Sequence, residues 1–172
     1  LSIRRQRQMC IRDSLKVDRP QKFSNIIPAL YGFVPRTYCD ERVKELAVKR
    51  GASDITEGDH DPLDICVLSS HNVPVGGILL EAVPIGGFKM IDKGEADDKI
   101  VAVLVGDQSY GHIKDISELP KAEVDRLMHY FLTYKNLPGE PVACRIDEVY
   151  DAKHAKEVIK ASQEDYQEKY KG

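Results

Sequence analysis

The stretch Asp59-His60-Asp61-Pro62-Leu63-Asp64 runs directly into the apolar segment Ile65-Cys66-Val67-Leu68. Three carboxylates within six residues stand immediately before a strand-like run. Anions packed that closely repel one another and are costly to bring near an apolar core. One reading is a solvated acidic turn ahead of a strand. The other is a binding loop for a hard divalent cation such as magnesium, manganese or calcium, since every donor is an oxygen. Pro62 removes a backbone donor and stiffens the loop. A calcium loop of the EF-hand type fits badly: Asp64 stands where its sixth-position glycine belongs, and Ser70 where its glutamate belongs.

A second acidic segment, Asp92-Lys93-Gly94-Glu95-Ala96-Asp97-Asp98, precedes another apolar run, Lys99 to Val105. Taken alone, each segment reads as a solvated loop. Taken together, two strands that each begin just after a carboxylate cluster suggest a polynuclear metal site at one mouth of a small barrel.

Working outward, Phe23 to Val34 is apolar and broken by Pro28 and Gly32, which suits short strands around a bend. Asp40 to Gly58 reads as a charged surface insertion, with a short helix over Glu41 to Arg50 carrying Val43, Leu46 and Ala47 on one face. Leu63 to Ser69 is predicted as a strand, Ile78 to Val83 as a buried strand, and Ile85 to Ile91 as a third with a glycine kink. A helix is predicted from Pro120, with Val124, Leu127, Met128 and Phe131 as its core stripe. Val142 to Val149 is predicted as the last strand. Asp151 then caps a final helix whose inner face holds Ala155, Val158, Ile159 and Ser162. These elements predict an α+β protein built on a small closed barrel. The five histidines show no ligand spacing, and Cys39, Cys66 and Cys144 read as small buried side chains.

A chain of 172 residues can bury one sizeable core. No apolar run reaches the roughly 20 residues needed to cross a bilayer, so no membrane partner is expected. Four cysteines without a CxxC pair argue against a disulfide framework or zinc ribbon and point to a reducing, cytoplasmic setting.

Residues 1–14, LSIRRQRQMCIRDS, lack an apolar period or a capping signal. They look like a translated sequencing adapter, so the fold is expected to occupy 15–172. Without them 21 basic residues face 27 acidic ones, a net of −6. An acidic body argues against nonspecific nucleic-acid binding. It also implies that an anionic substrate arrives with metal ions.

The residues now in hand resemble a known family. Asp59-His60-Asp61-Pro62-Leu63-Asp64-Ile65 fits the D-x-D-P-x-D-hydrophobic signature of the first family of soluble inorganic pyrophosphatases. Val17-Asp18-Arg19, Pro28-Ala29-Leu30-Tyr31-Gly32, Lys89 to Lys99, Gly111 to Ile116 and His129 to Lys135 resemble its other segments in the same order. The resemblance covers Val17 to Lys135 and implies a five-stranded OB-like closed barrel with helices packed outside. It implies hydrolysis of diphosphate to two orthophosphates with several Mg2+ ions. By position, Asp59, Asp64, Asp92 and Asp97 would be metal ligands and Asp61 the general base. Arg19, Tyr31, Lys99, Tyr134 and Lys135 would bind phosphate oxygens. The family also implies a homo-oligomer, with hexamers common among bacterial types. Its members carry a further helix and strand before the arginine; here adapter-like sequence stands there, so an N-terminal truncation is expected. Two other functions stay open on residues alone. One is a noncatalytic OB-like module for nucleotides or single strands, which would need a basic groove with interleaved aromatics. The other is a metal-dependent phosphatase acting on phosphate esters.

Overall fold

The computed structural model describes residues 27–52, 54–74 and 76–171. The adapter-like segment and the expected strand end carrying Arg19 lie outside the described residues. The elements run β1 (Leu30–Phe33), α1 (Glu41–Lys49), β2 (Glu57–Gly58), β3 (Asp64–Leu68), β4 (Ala82–Asp92), β5 (Glu95–Ala96), β6 (Lys99–Leu104), a 3-10 turn (Ile116–Glu118), α2 (Lys121–Thr133), β7 (Cys144–Asp151) and α3 (Ala152–Lys171).

The α+β class expected from sequence is what the chain adopts, but the closed five-stranded barrel is not seen. Instead the described residues form one seven-stranded sheet, ordered β1-β3-β6-β4-β5-β2, with β7 paired to the other side of β4. Among the described residues no pairing joins its edges, and over those residues the sheet is open. The count differs because two runs are each split. β2 and β3 lie parallel to β5 and β6 respectively, so each pair is one interrupted run. Counted that way the sheet has five runs, with β4 between the β5/β6 run and β7.

Both faces of this sheet are covered. One core cluster gathers Cys66, Leu68, Ile85, Phe88, Met90, Val101 and Val103 under Leu127, Tyr130 and Phe131 of α2. The other gathers Leu63, Ile91, Ile100 and Tyr150 under Val43 and Ala47 of α1 and Ala155 and Val158 of α3. Coverage on both faces explains why β6 reads as an unbroken apolar run rather than an alternating one. Each Val, Leu or Ile so buried contributes about 1.5–3 kcal/mol.

The glycine kink appears as a register shift between Pro84 and Gly86. A Cβ on Gly87 would lie 2.5 Å from the Tyr150 ring, so only hydrogen fits there. The separate buried strand predicted over Ile78 to Val83 is corrected. Strand β4 starts at Ala82 and takes in the third predicted strand, while Ile78, Leu79 and Leu80 are exposed. The run is apolar in composition, but none of the described residues buries it. Cys39 and Cys66 are buried as expected, and Cys144 is half-buried. Asp151 accepts the backbone N–H of His154 at 2.8 Å, which caps α3. The segment Gly111 to Ile116 is structural: Asp115 closes a capping box on the 3-10 turn and accepts the backbone N–H of Ala152 at 2.9 Å.

Candidate active site

The two interruptions lie side by side. On one run, five residues separate Gly58 from Asp64, namely Asp59 to Leu63; on its parallel neighbour, Asp97 and Asp98 alone separate Ala96 from Lys99. The longer break must therefore arch over the shorter one. That mismatch brings the first acidic stretch onto the second. The short break stays attached to the sheet, because Asp97 N–H donates to Met90 O at 3.0 Å.

Asp59 lies near enough to Asp97 for the two charges to act on each other. Burial, and then the Asp97 charge, push the Asp59 pKa up. Asp61 N–H donates to Asp59 Oδ1 at 3.1 Å, which fixes the loop and leaves the Asp61 residue exposed. Lys99, 2% exposed, places its ammonium between two carboxylates: 2.6 Å from Asp64 Oδ2, and in direct contact with Asp97 Oδ1. Tyr31 OH donates to Asp64 Oδ2 at 2.5 Å. Burial raises its phenol pKa, Lys99 opposes that and Asp64 reinforces it, so the hydroxyl stays protonated.

Asp92 sits at the end of β4 and joins through a cation: Lys135 Nζ lies 2.5 Å from Asp92 Oδ2, and its charge is also felt by Asp97. Tyr134 caps the C-terminal end of α2, stacked on Tyr130 with ring centroids 5.1 Å apart, and the Lys135 ammonium lies 5.5 Å from its ring centroid. Tyr31 reaches the same group through Phe131, at 6.1 Å. So the structure gathers Asp59, Asp64, Asp97, Lys99 and Tyr31 directly, and Asp92, Tyr134 and Lys135 at their edge. Arg19 lies outside the described residues.

Sequence reasoning missed Asp98. It turns away from Asp97 into the core, where its Oδ2 accepts Tyr150 OH at 3.2 Å and its Oδ1 has no hydrogen-bond partner among the described residues. Burial pushes its pKa up to about 7, against the Tyr150 hydrogen bond. A pair of adjacent aspartates directly before a strand was the signal, since successive residues of an extended chain point to opposite sides.

The donor set suits a hard divalent ion. Burial first, and the neighbouring Asp97 charge second, disfavour the ionised form of Asp59, and a bound cation would offset both. Among the described residues no three His, Cys, Asp or Glu side chains form a ready-made ligand cage. The Lys99 ammonium supplies counter-charge to Asp64 and Asp97.

The fold and the site together define an α+β protein with an oxygen-rich acidic site into which Lys99 and Lys135 bring positive charge. A family model described as inorganic pyrophosphatase matches residues 4–167. The inorganic pyrophosphatase of Chlamydia caviae is 49% identical over 161 residues, spanning 91% of this chain and 74% of that protein. The one from Chlamydia muridarum is 50% identical over 157 residues, 88% of this chain and 75% of its own length. A crystal structure of an inorganic pyrophosphatase from Neisseria gonorrhoeae superposes with a TM-score of 0.69 at 32% identity, covering 88% of this chain and 77% of that one. The chain belongs to the inorganic pyrophosphatase family, and its reaction is the hydrolysis of inorganic diphosphate to orthophosphate. That family implies a divalent metal requirement. Among the described residues no helix is long and apolar enough to cross a membrane.

Proposed function

We propose that the acidic site at the two strand breaks carries out this hydrolysis with Mg2+, held by Asp59, Asp64, Asp92 and Asp97, and with Asp61 as general base. The observation that supports the reading most is the convergence of Asp64 and Asp97, one from each acidic stretch, on the buried ammonium of Lys99. Bound there, a divalent ion would supply positive charge against the diphosphate oxygens and lower the pKa of the attacking water.

The remaining work belongs to the chain. Asp61, exposed and held by its own backbone N–H on Asp59, accepts the proton of the attacking water. Lys99 and Lys135 oppose the charge that grows on the departing phosphate. Tyr31 and Tyr134 donate hydroxyl hydrogen bonds, which orient phosphate oxygens without adding charge that would retain product. Arg19 is assigned to the same substrate on the resemblance.

The test compares orthophosphate release from diphosphate and from a phosphate monoester, each with and without Mg2+. Release from diphosphate alone, and with Mg2+ alone, is expected; equal release from the monoester would contradict the reading.

The protein is further proposed to work in the cytoplasm as a homo-oligomer, a hexamer. Leu79, 87% exposed, with Ile78, Leu80 and Val105, presents apolar surface that association would cover. Light scattering on the eluting protein should give six times the chain mass; a monomer would contradict it.

A further inference from the structure

The acidic loop Asp59 to Leu63 has no regular structure of its own. It is tied to a strap, Thr37 to Asp40, that runs behind it. Cys39 N–H donates to Asp61 O at 3.0 Å, and His60 N–H donates to Cys39 O at 3.0 Å. Leu63 N–H donates to Thr37 Oγ1 at 2.9 Å. Contact is close: a Cβ on Gly58 would fall 2.4 Å from Cys39 O.

The strap hangs from α3. Tyr38 N–H donates to Ser162 O at 2.9 Å. The carboxylate of Asp165 accepts Asp40 N–H at 3.0 Å and Val43 N–H at 3.2 Å on Oδ2, and Arg42 N–H at 3.1 Å on Oδ1. The first turn of a helix leaves such donors without intrahelical partners. Asp40, at the N-cap position of α1, makes no side-chain cap bond. A carboxylate from another helix takes over the task. Asp165 is 4% exposed, and burying a carboxylate is costly unless it is well hydrogen-bonded. Three backbone donors meet that demand here, so strap and carboxylate fix each other.

We propose that Asp165 is a positioning residue for diphosphate hydrolysis, which through the Thr37–Asp40 strap sets where Asp59 and Asp61 stand. The inference rests on the reading of the acidic site given above. Asp165 acts through the backbone of the strap, as outer groups do when they orient metal ligands.

Asp165→Asn preserves shape but turns one accepting oxygen into a donor facing backbone N–H groups. It should quicken amide hydrogen exchange across 59–63 by about tenfold in the metal-free protein, and raise the half-saturating Mg2+ concentration by about tenfold. Val158→Ala, on the same helix but inside the apolar core, is the control: it lowers the melting temperature and leaves both readings unchanged. Unchanged exchange in Asp165→Asn, or the same acceleration in Val158→Ala, would overturn the proposal. Should Asp165→Asn not accumulate as folded protein, Thr37→Val breaks the strap at Leu63. It should raise the Mg2+ requirement comparably, and an unchanged requirement overturns the proposal. Loss of the functional reading shows separately, as wild-type protein that releases no orthophosphate from diphosphate, while the exchange comparison still reports whether Asp165 places the loop.

Discussion

Lys99 is the residue on which the acidic cluster balances. A buried ammonium is costly by itself, and here two carboxylates repay it. Lys99→Met removes the cation and leaves Asp64 and Asp97 facing an apolar neighbour, which should destabilise the metal-free protein by about 3–5 kcal/mol. Thermal melts with and without Mg2+ check this, and Mg2+ should restore part of the loss. Asp61 is the opposite case, an exposed residue for which a chemical role is proposed. Asp61→Asn should lower kcat by about 10²–10⁴-fold while leaving the melting temperature within a degree or two of wild type; a steady-state assay at saturating Mg2+ reads it. At this scale the sequence drew attention to the first acidic cluster, three carboxylates within six residues, while leaving a solvated turn open. It could not show that Lys99 lies between Asp64 and Asp97, or that Asp165 supports the strap. Such contacts join positions far apart in the chain and leave no local pattern.

Among the elements, the decisive feature is a pair of broken parallel runs with breaks of unequal length. Strands β2 and β5 have two residues each, too few for any periodicity to register, so the splits were not legible. The positions of the breaks were, since each is a cluster of carboxylates that a covered sheet cannot bury in register. Ile78 to Leu80 misled for a related reason: composition shows that a run is apolar, not whether a neighbour covers it. The helices α2 and α3 were legible because their core stripes repeat over several turns. Gly58 tests the packing of loop on strap. Gly58→Ala sets a Cβ against the Cys39 carbonyl and should cost about 1–3 kcal/mol of stability, with the Mg2+ requirement rising as the loop moves. Denaturant titration together with a Mg2+ titration of activity measures both; an unchanged midpoint would mean the strap yields freely.

For the molecule as a whole, acid sensitivity follows from Asp107. Burial alone would raise its pKa, but N–H groups of Tyr110, Ser70 and Ser109 and the Ser69 hydroxyl bind the carboxylate and hold it below the ordinary value. Asp115, bound by Ala152 N–H and by Ser117, is lowered likewise. A depressed folded pKa stabilises above the unfolded value and is lost as pH falls through the folded one. Melting temperature should therefore decline as pH drops below about 4, and Asp107→Asn should flatten that decline. The pattern of broken runs, strap and acidic site converges on a single claim: carboxylates from two separate breaks share divalent cations. A double-mutant cycle on Mg2+ affinity tests it most directly, using calorimetry on wild type, Asp59→Asn, Asp97→Asn and the double variant. Shared ions predict that each single change weakens binding and that the double change falls short of their sum by about 1 kcal/mol or more. Strictly additive losses, or Mg2+ affinity untouched by either change, would contradict the account.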